Sequence, residues 1–100
     1  MIRHKYHAKP TSRNGIKFQS KKEARYYDTL LLRQKAGQVL FFLRQVPFDL
    51  GGGVIHRIDF MEFWTDGTVH IVEIKGYDTP IGKMKRKIVE SLYPIDIEVK

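Results

Sequence analysis

The pattern of apolar and polar residues divides the chain into six regular elements. Two stretches have apolar residues at helical spacing, and four are rich in the β-branched and aromatic residues typical of strands. In chain order they are a helix at 21–35, strands at 38–50, 54–64 and 68–75, a helix at 80–92 and a strand at 95–99. This order, α-β-β-β-α-β, predicts an α/β or α+β fold with helices on both faces of a mixed sheet.

Both helices start at residues that favour a helix N-terminus. Ser20 and Glu23 form a capping box before the first helix, and Gly37 is placed to end that helix. Thr79 is an N-cap residue, and Pro80 follows it at the first helical position. We therefore expect the two helices to begin at these signals.

Residues 1–19 show no sustained periodicity and contain proline, asparagine and glycine. We interpret them as an arm or loop with a short strand at 16–18. A chain of 100 residues is long enough for one compact core. The sequence thus predicts a basic N-terminal arm, 1–19, followed by a single domain, 20–100.

The turn between the two central strands decides which side chains meet across the sheet. A two-residue loop would put Asp59 and Glu73 on opposite faces, whereas a three-residue loop, Thr65-Asp66-Gly67, would put them directly opposite each other. The longer loop ends with a residue in the left-handed region, where glycine is favoured. We therefore expect Asp59 to lie across from Glu73.

In this register one sheet face is apolar near the turn and acidic at its other end, where Asp59 and Glu73 lie. The reverse face is apolar and suits packing by the second helix; it carries Ile58, Phe60, Val72 and Ile74. Glu23 projects from the apolar side of the first helix, towards whatever that helix covers. An acidic patch on a buried sheet is costly unless a positive charge compensates it.

A divalent cation is the simplest compensating charge, because Mg²⁺ prefers carboxylate oxygens completed by water and substrate phosphates. Asp59 and Glu73 would hold it, and Lys75, on the same strand face, would orient or deprotonate water or neutralise developing charge. Glu23 would ligate through water or complete a second site, and Gln45 is a candidate neighbour. Each acid also has a structural interpretation: a capping-box acid, a strand-end residue bonded to backbone, or a solvent-facing cross-strand charge.

The net positive charge of the chain indicates a candidate binding partner. Lys and Arg number 18 against 11 Asp and Glu, which gives a net charge of +7 and a pI near 9.8. The first 22 residues contain no acid, and a second basic cluster spans 82–87. Such surfaces suit nucleic acids, although a solvated basic surface is the alternative. The predicted DNA-binding residues are Arg3, Lys5, Lys9, Arg13, Lys17, Lys21, Lys22, Lys83, Lys85 and Arg86.

Cysteine is absent, which excludes disulfides and thiolate chemistry. No apolar run approaches the roughly 18 to 20 residues of a membrane span, and the basic N-terminus lacks the apolar segment of a secretory signal. These features predict an intracellular protein without a membrane partner.

The ordered set of candidate residues resembles the PD-(D/E)XK nuclease superfamily. The resemblance rests on Glu23 in "SKKEARYY", Asp59 in "RIDF", and Glu73 with Lys75 in "VEIKG", and it covers Ser20 to Val99. Isoleucine stands before Asp59 where the superfamily name has proline. The stretches "YHAK" and "NGIKFQSKKEARYY" are further similar to small phage-encoded nucleases, whose relatives include Holliday-junction resolvases.

This resemblance implies a restriction-endonuclease-like core, Mg²⁺-dependent hydrolysis of DNA phosphodiesters with Mn²⁺ as a substitute, and a homodimer that makes paired incisions. It implies that the N-terminal arm, with His4, Tyr6 and His7, wraps DNA phosphates. The implied catalytic residues are Glu23, Asp59, Glu73 and Lys75, and the implied metal ligands are Asp59, Glu73 and Ile74.

The sequence therefore predicts a metal-dependent endonuclease of branched DNA, best described as a junction resolvase, acting in the host cytoplasm if it is phage-encoded. Two alternatives of other kinds stay open. One is a restriction-like or end-processing nuclease on duplex DNA, and the other is a basic DNA-binding module whose acids are structural. An RNA-directed variant also stays open.

Overall fold

The structure is a computed structural model and describes residues 10–100. Two helices and six strands follow one another along this part of the chain. They are β1 (Thr11–Arg13), β2 (Ile16–Phe18), α1 (Lys21–Lys35), β3 (Val39–Gly51), β4 (Val54–Trp64), β5 (Val69–Glu73), α2 (Pro80–Leu92) and β6 (Ile97–Val99). The predicted bounds of both helices and of the strand at 54–64 are confirmed.

The helix ends have the expected caps. The Ser20 hydroxyl accepts a hydrogen bond from the Glu23 amide at 3.1 Å, and Thr79 does the same for Gly82 at 3.0 Å. These contacts satisfy amide groups that have no partner within the first turn. After α1 the chain turns at Gly37, whose φ of +80° lies in the left-handed region.

The main sheet has the strand order β3-β4-β5-β6. Strands β3, β4 and β5 are antiparallel, and β6 joins β5 in parallel, so the sheet is mixed. This confirms an α+β fold with a mixed sheet. Strand β3 lies at an edge, which accommodates Pro47 because one side of an edge strand needs no hydrogen-bond donor.

The predicted register of the central hairpin is confirmed. Gly67 has a φ of +89°, and the Trp64 amide donates to the Thr68 carbonyl to close the three-residue loop. The pairs of β4 with β5 are Phe60–Val72, Met61–Ile71, Glu62–His70 and Phe63–Val69. The pairing ends at Phe60 and Val72, one residue short of Asp59 and Glu73, so the predicted cross-strand pair of these two carboxylates is not formed.

The prediction of which helix covers which face was wrong. Phe60 and Val72 lie in the main core with α1, and Ile74 packs against that core, so this face is not the one α2 covers. Glu73 follows Val72 and projects from the other face, where Arg86 of α2 contacts it. Helices thus flank both faces, as predicted, with their positions exchanged. The buried core cluster comprises Phe18, Ala24, Tyr27, Leu30, Val39, Phe60 and Val72.

Strands β1 and β2 form a small hairpin on α1. Asn14 and Gly15 turn it, both with positive φ. Phe18 is buried against Tyr27, with 4.9 Å between ring centroids, and Arg13 pairs with Asp28 of α1 at 3.0 Å. The strand predicted at 16–18 is present, whereas its partner β1 was not predicted. The arm residues Arg3, His4, Lys5, Tyr6, His7 and Lys9 lie outside the described residues.

Within residues 10–100, neither helix combines the length and apolar character that crossing a membrane requires.

Candidate functional site

The candidate site lies where β4 and β5 separate. Their regular pairing ends at Phe60 and Val72, and beyond it the Ile74 amide donates to Oδ2 of Asp59 at 2.8 Å. The Asp59 carboxylate therefore bonds a backbone amide just beyond the paired part of β4 and β5. On its other side β5 stays paired with the chain after β6, since the Lys100 amide donates to the Glu73 carbonyl at 2.9 Å. We call this separation of the two strands the fork.

Gln45 connects Asp59 to α1. Its Nε2 lies 3.3 Å from Oδ1 of Asp59 and 3.4 Å from Oε2 of Glu23, so one amide group bridges two carboxylates. The expectation that Gln45 neighbours the site is confirmed. Its φ of +52° is in the left-handed region, which costs a residue other than glycine roughly 1–2 kcal/mol. Backbone strain of this kind is common at functional sites.

The two bridged carboxylates are held in an unfavourable environment for negative charge. Burial raises the pKa of Glu23, the charge of Asp59 raises it further, and Arg44, 4.0 Å away, opposes the shift. Burial also raises the pKa of Asp59, against the lowering effects of the Ile74 amide and Lys75. A proton or a cation between these groups would stabilise the pair.

Glu73 is buried more deeply, with 1% of its surface exposed. One of its oxygens contacts Nε2 of His56. The other lies 3.4 Å from Nη1 of Arg86 and 3.6 Å from Nζ of Lys75. Nitrogen groups from three side chains therefore surround this carboxylate.

Arg86 extends this cluster to the start of α2. Both of its terminal nitrogens also contact the carboxylate of Asp78, and these bonds hold the pKa of Asp78 below its usual range. The sequence reasoning did not identify His56 or Asp78. Their types and spacing gave no signal, because His56 reaches Glu73 from another strand and Asp78 meets Arg86 across two helical turns.

A cavity of about 270 Å³ opens at the fork. Glu23, Gln45, Asp59 and Lys75 are among its lining residues, whereas Glu73 is not. The Lys22 ammonium donates to the Lys75 carbonyl at 2.8 Å and thereby places a further positive charge beside the cavity. The arrangement can bind an anion next to two carboxylates, provided that a cation compensates them.

The predicted metal ligands are only partly brought together. Asp59 borders the cavity, and Ile74, next to it, has only its backbone carbonyl to offer a metal. The Glu73 carboxylate is engaged by His56, Arg86 and Lys75 and does not fit a cation in this arrangement. Across residues 10–100, no three acidic, histidine or cysteine side chains are grouped to hold a metal ion. Glu23 and Asp59 fit as a two-carboxylate set.

The predicted DNA-binding residues that are described differ in exposure. Lys17, Lys21, Lys22 and Lys83 are exposed, and Arg13 and Lys85 are half-buried. Arg86 does not belong with them, because it is buried and bonded to both Asp78 and Glu73. The helical period explains the difference, since residue 86 lies three before the buried Val89 on the inner side of α2.

The fold and site define a small α+β protein with a polar cavity at the fork of a mixed sheet, lined by the buried Glu23, the half-buried Asp59 and Lys75. The chain belongs to the family described as "Protein of unknown function (DUF1064)", whose model matches residues 3–99. Comparison with the curated proteins and with the solved structures gave no match.

Proposed function

We propose that this protein is a metal-dependent endonuclease that hydrolyses phosphodiester bonds in branched DNA. The observation that supports the proposal is the convergence of Glu23, Asp59 and Lys75 on one cavity at the fork. Two carboxylates beside an ammonium can serve a metal ion and a phosphate at the same time.

The metal set that the geometry favours is Glu23 and Asp59. Mg²⁺ is commonly held by one or two carboxylates, with water and substrate phosphates completing its shell. Burial disfavours the ionised form of both carboxylates, and the charge of Asp59 adds to this effect for Glu23, so a bound cation would stabilise the ionised pair. When bound, the ion would acidify a water molecule and stabilise charge on the phosphate.

The residues of this chain then have distinct roles. Gln45 holds the two carboxylates at a fixed separation through its bonds to both. Lys75, held near Glu73 at 3.6 Å, offers its ammonium to the non-bridging phosphate oxygens. Glu23 would share the cation with Asp59, and the charge of the cation would offset the burial that raises the pKa of Glu23. Glu73 positions Lys75 and does not itself ligate the cation.

DNA is the proposed substrate because the cavity lies beside a basic surface. Lys22 bonds to the carbonyl of Lys75 beside the cavity, and Lys17 and Lys21 are exposed on the neighbouring hairpin and helix. Each such contact with phosphate releases counterions and gains affinity. A preference for junctions, and a homodimer with two symmetric cavities, follow from the nuclease resemblance.

The test is cleavage of a labelled four-way DNA junction beside a linear duplex of the same sequence, with Mg²⁺ or with a chelator. The wild type is compared with Asp59→Asn and with Asp96→Asn, a matched control at an exposed aspartate that does not line the cavity at the fork. We expect paired nicks on the junction that disappear with chelator and in Asp59→Asn and persist in Asp96→Asn.

The other outcomes are equally informative. Cutting of both substrates would retain the nuclease and discard the junction preference. Binding without cutting, in the presence of Mg²⁺ or Mn²⁺, would leave a DNA-binding module with structural acids. Cutting of RNA alone would show that the substrate is RNA instead of DNA.

A further inference from the structure

The outer side of α2 carries two neighbouring rows of side chains with the same spacing. Each row advances by three, four and four residues, so each follows the helix from its first turn to its last. The apolar row is Ile81, Met84, Ile88 and Leu92. The second row is Pro80, Lys83, Lys87 and Ser91, and we call it the basic row because of its two lysines.

The apolar row is not part of the core of the protein. Ile81, Met84 and Leu92 are 62%, 53% and 55% exposed, whereas Arg86 and Val89, on the inner side of the helix, are buried. Single exposed apolar residues are ordinary, but a continuous row along a helix is the pattern of an interaction surface.

The two rows border a groove. A cavity of about 490 Å³ lies along α2, with Met84 and Ile88 on its apolar side and Lys83 and Lys87 on its basic side. All of its lining residues belong to α2, so the groove is the open strip between the two rows, and a ridge of side chains on another helix can pack into such a strip.

We propose that this groove binds an acidic amphipathic helix of another protein. The apolar row would receive the apolar stripe of that helix, and Lys83 and Lys87 would face aspartates or glutamates along one flank of the stripe. Charge complementarity of this kind selects a partner and aligns it along the groove.

A second copy of this chain does not fit, because neither of the two described helices carries an acidic row. In α1 the acids are Glu23, which is buried, and Asp28, which pairs with Arg13. In α2 the only acid is Glu90, which accepts a hydrogen bond from the Ile97 amide. Antiparallel pairing of α2 with itself would bring two lysine rows together, and parallel pairing would offer them no acidic row.

Nucleic acid fits only half of the groove. Phosphates would neutralise Lys83 and Lys87 but would leave Ile81, Met84 and Leu92 in water. The proposal therefore assigns Lys83 to a protein partner instead of DNA, and it does not depend on the nuclease function.

The test uses the full chain and a synthetic fluorescein-labelled helical peptide of about three heptads, with leucine at the apolar positions and glutamate beside them. A second peptide has lysine in place of every glutamate. Fluorescence anisotropy should show binding of the acidic peptide and none of the basic one. Lys83→Glu/Lys87→Glu should weaken binding at least about tenfold, because two favourable charges become repulsive.

Met84→Lys separates this proposal from simple charge attraction. It adds a positive charge but interrupts the apolar row, so we expect binding to weaken about tenfold as the contact with Met84 is lost. Attraction by charge alone would make Met84→Lys bind more tightly. The matched control is Leu32→Lys on α1, which makes a similar change at a residue that is 67% exposed, and it should bind like the wild type.

Several outcomes would overturn the proposal. They are no binding of the acidic peptide by correctly folded wild type, equal binding of the two peptides, and tighter binding by Met84→Lys. Displacement of the peptide by a short DNA duplex without any effect of Met84→Lys would assign the groove to nucleic acid. Binding of anionic phospholipid vesicles in the absence of peptide binding would assign it to a membrane surface.

Discussion

Arg86 of α2 and Glu73 of β5 form an ion pair with both side chains withdrawn from solvent, and 3.4 Å separates Nη1 from Oε2. The guanidinium of Arg86 simultaneously binds Asp78, just before α2. Buried charges of this kind are tolerated only when each has partners. The pair therefore couples the docking of α2 to the strand that leads into the fork.

Replacing Arg86 with Met should destabilise the protein by about 3 kcal/mol, because Glu73 loses a partner in a buried environment. The double variant Arg86→Met/Glu73→Gln should lose less than the sum of the two single variants, since the residual buried charge is gone. Urea unfolding measures these free energies. Lys83→Met, an exposed position on the same helix, should change stability by no more than about 0.5 kcal/mol. Additive losses in the double variant would contradict the coupling.

The sequence predicted the elements and the central register because local signals specify them. Capping residues place the helix starts, and Gly67 selects the three-residue loop that sets the register of β4 with β5. Alternation alone does not say which helix covers which face, so the positions of α1 and α2 were exchanged. That choice depends on which helix presents Ala24, Tyr27 and Leu30 to the sheet.

The cluster of charged residues around Glu73 could not be predicted from such local signals. Arg86 lies within the basic run 82–87 and was therefore predicted to be a surface residue like the neighbouring lysines. It is buried, because the helical period places it on the inner side of α2. His56 is three residues from Asp59, and an ideal strand would put the two on opposite faces. The ladder of β3 with β4 skips Gln45 and Asp59, where Gln45 has a positive φ, so alternation across this point does not predict where these side chains point.

Replacement of Glu23 with Gln should raise the melting temperature at pH 7 by a few degrees. The folded-state pKa of Glu23 is raised, so its stabilising neutral form is fully present below the ordinary pKa of about 4.3 and is lost as pH rises through the folded-state value. The gain in Glu23→Gln should therefore vanish in acid. Thermal melts from pH 3 to pH 8 measure it, with Glu90→Gln as the control at an exposed acid. A gain that persists unchanged at pH 3 would exclude the charge explanation.

The choice of metal ligands can be tested without measuring cleavage. If Glu23 and Asp59 hold the cation, Mg²⁺ should raise the melting temperature of the wild type and should not do so in Asp59→Asn or Glu23→Gln. Glu73→Gln should keep the Mg²⁺-dependent rise, even though its own stability is lower. The quantity compared is the melting temperature with Mg²⁺ minus the melting temperature without it, for each variant. Loss of that difference in Glu73→Gln, and its retention in Glu23→Gln, would favour Asp59 and Glu73 as the ligands.

Gln45 allows the backbone strain at the site to be measured. Gln45→Gly and Gln45→Ala both remove the amide bridge between Glu23 and Asp59, but only glycine adopts a φ of +52° without steric cost. Gln45→Gly should therefore be more stable than Gln45→Ala by about 1 kcal/mol. Chemical unfolding of the two variants gives this difference directly. Equal stabilities would show that the backbone at this position relaxes when the side chain is lost.

Glu62 of β4 accepts hydrogen bonds from the side chains of Tyr26, on α1, and Trp64, at the end of β4. The Tyr26 hydroxyl lies 2.5 Å from Oε2 of Glu62, and Nε1 of Trp64 lies 2.9 Å from Oε1. Burial raises the pKa of Tyr26, and its bond to Glu62 raises it further. Since the folded-state pKa is raised above the ordinary value of about 10, the stability contributed by neutral Tyr26 is present below pH 10 and is lost as pH rises through the folded-state value.

Tyr26→Phe should therefore lower stability at pH 7 by about 1–3 kcal/mol, because the buried Glu62 carboxylate loses a donor. The same variant should lose less stability than the wild type as the pH rises above 10, since no hydroxyl at position 26 has to ionise. Fluorescence of Trp64, the single tryptophan of the chain, follows unfolding at each pH. Tyr93→Phe is the matched control, because its hydroxyl donates to the neutral Asp49 carbonyl. The same alkaline loss in Tyr26→Phe and the wild type would show that Tyr26 is not the group responsible.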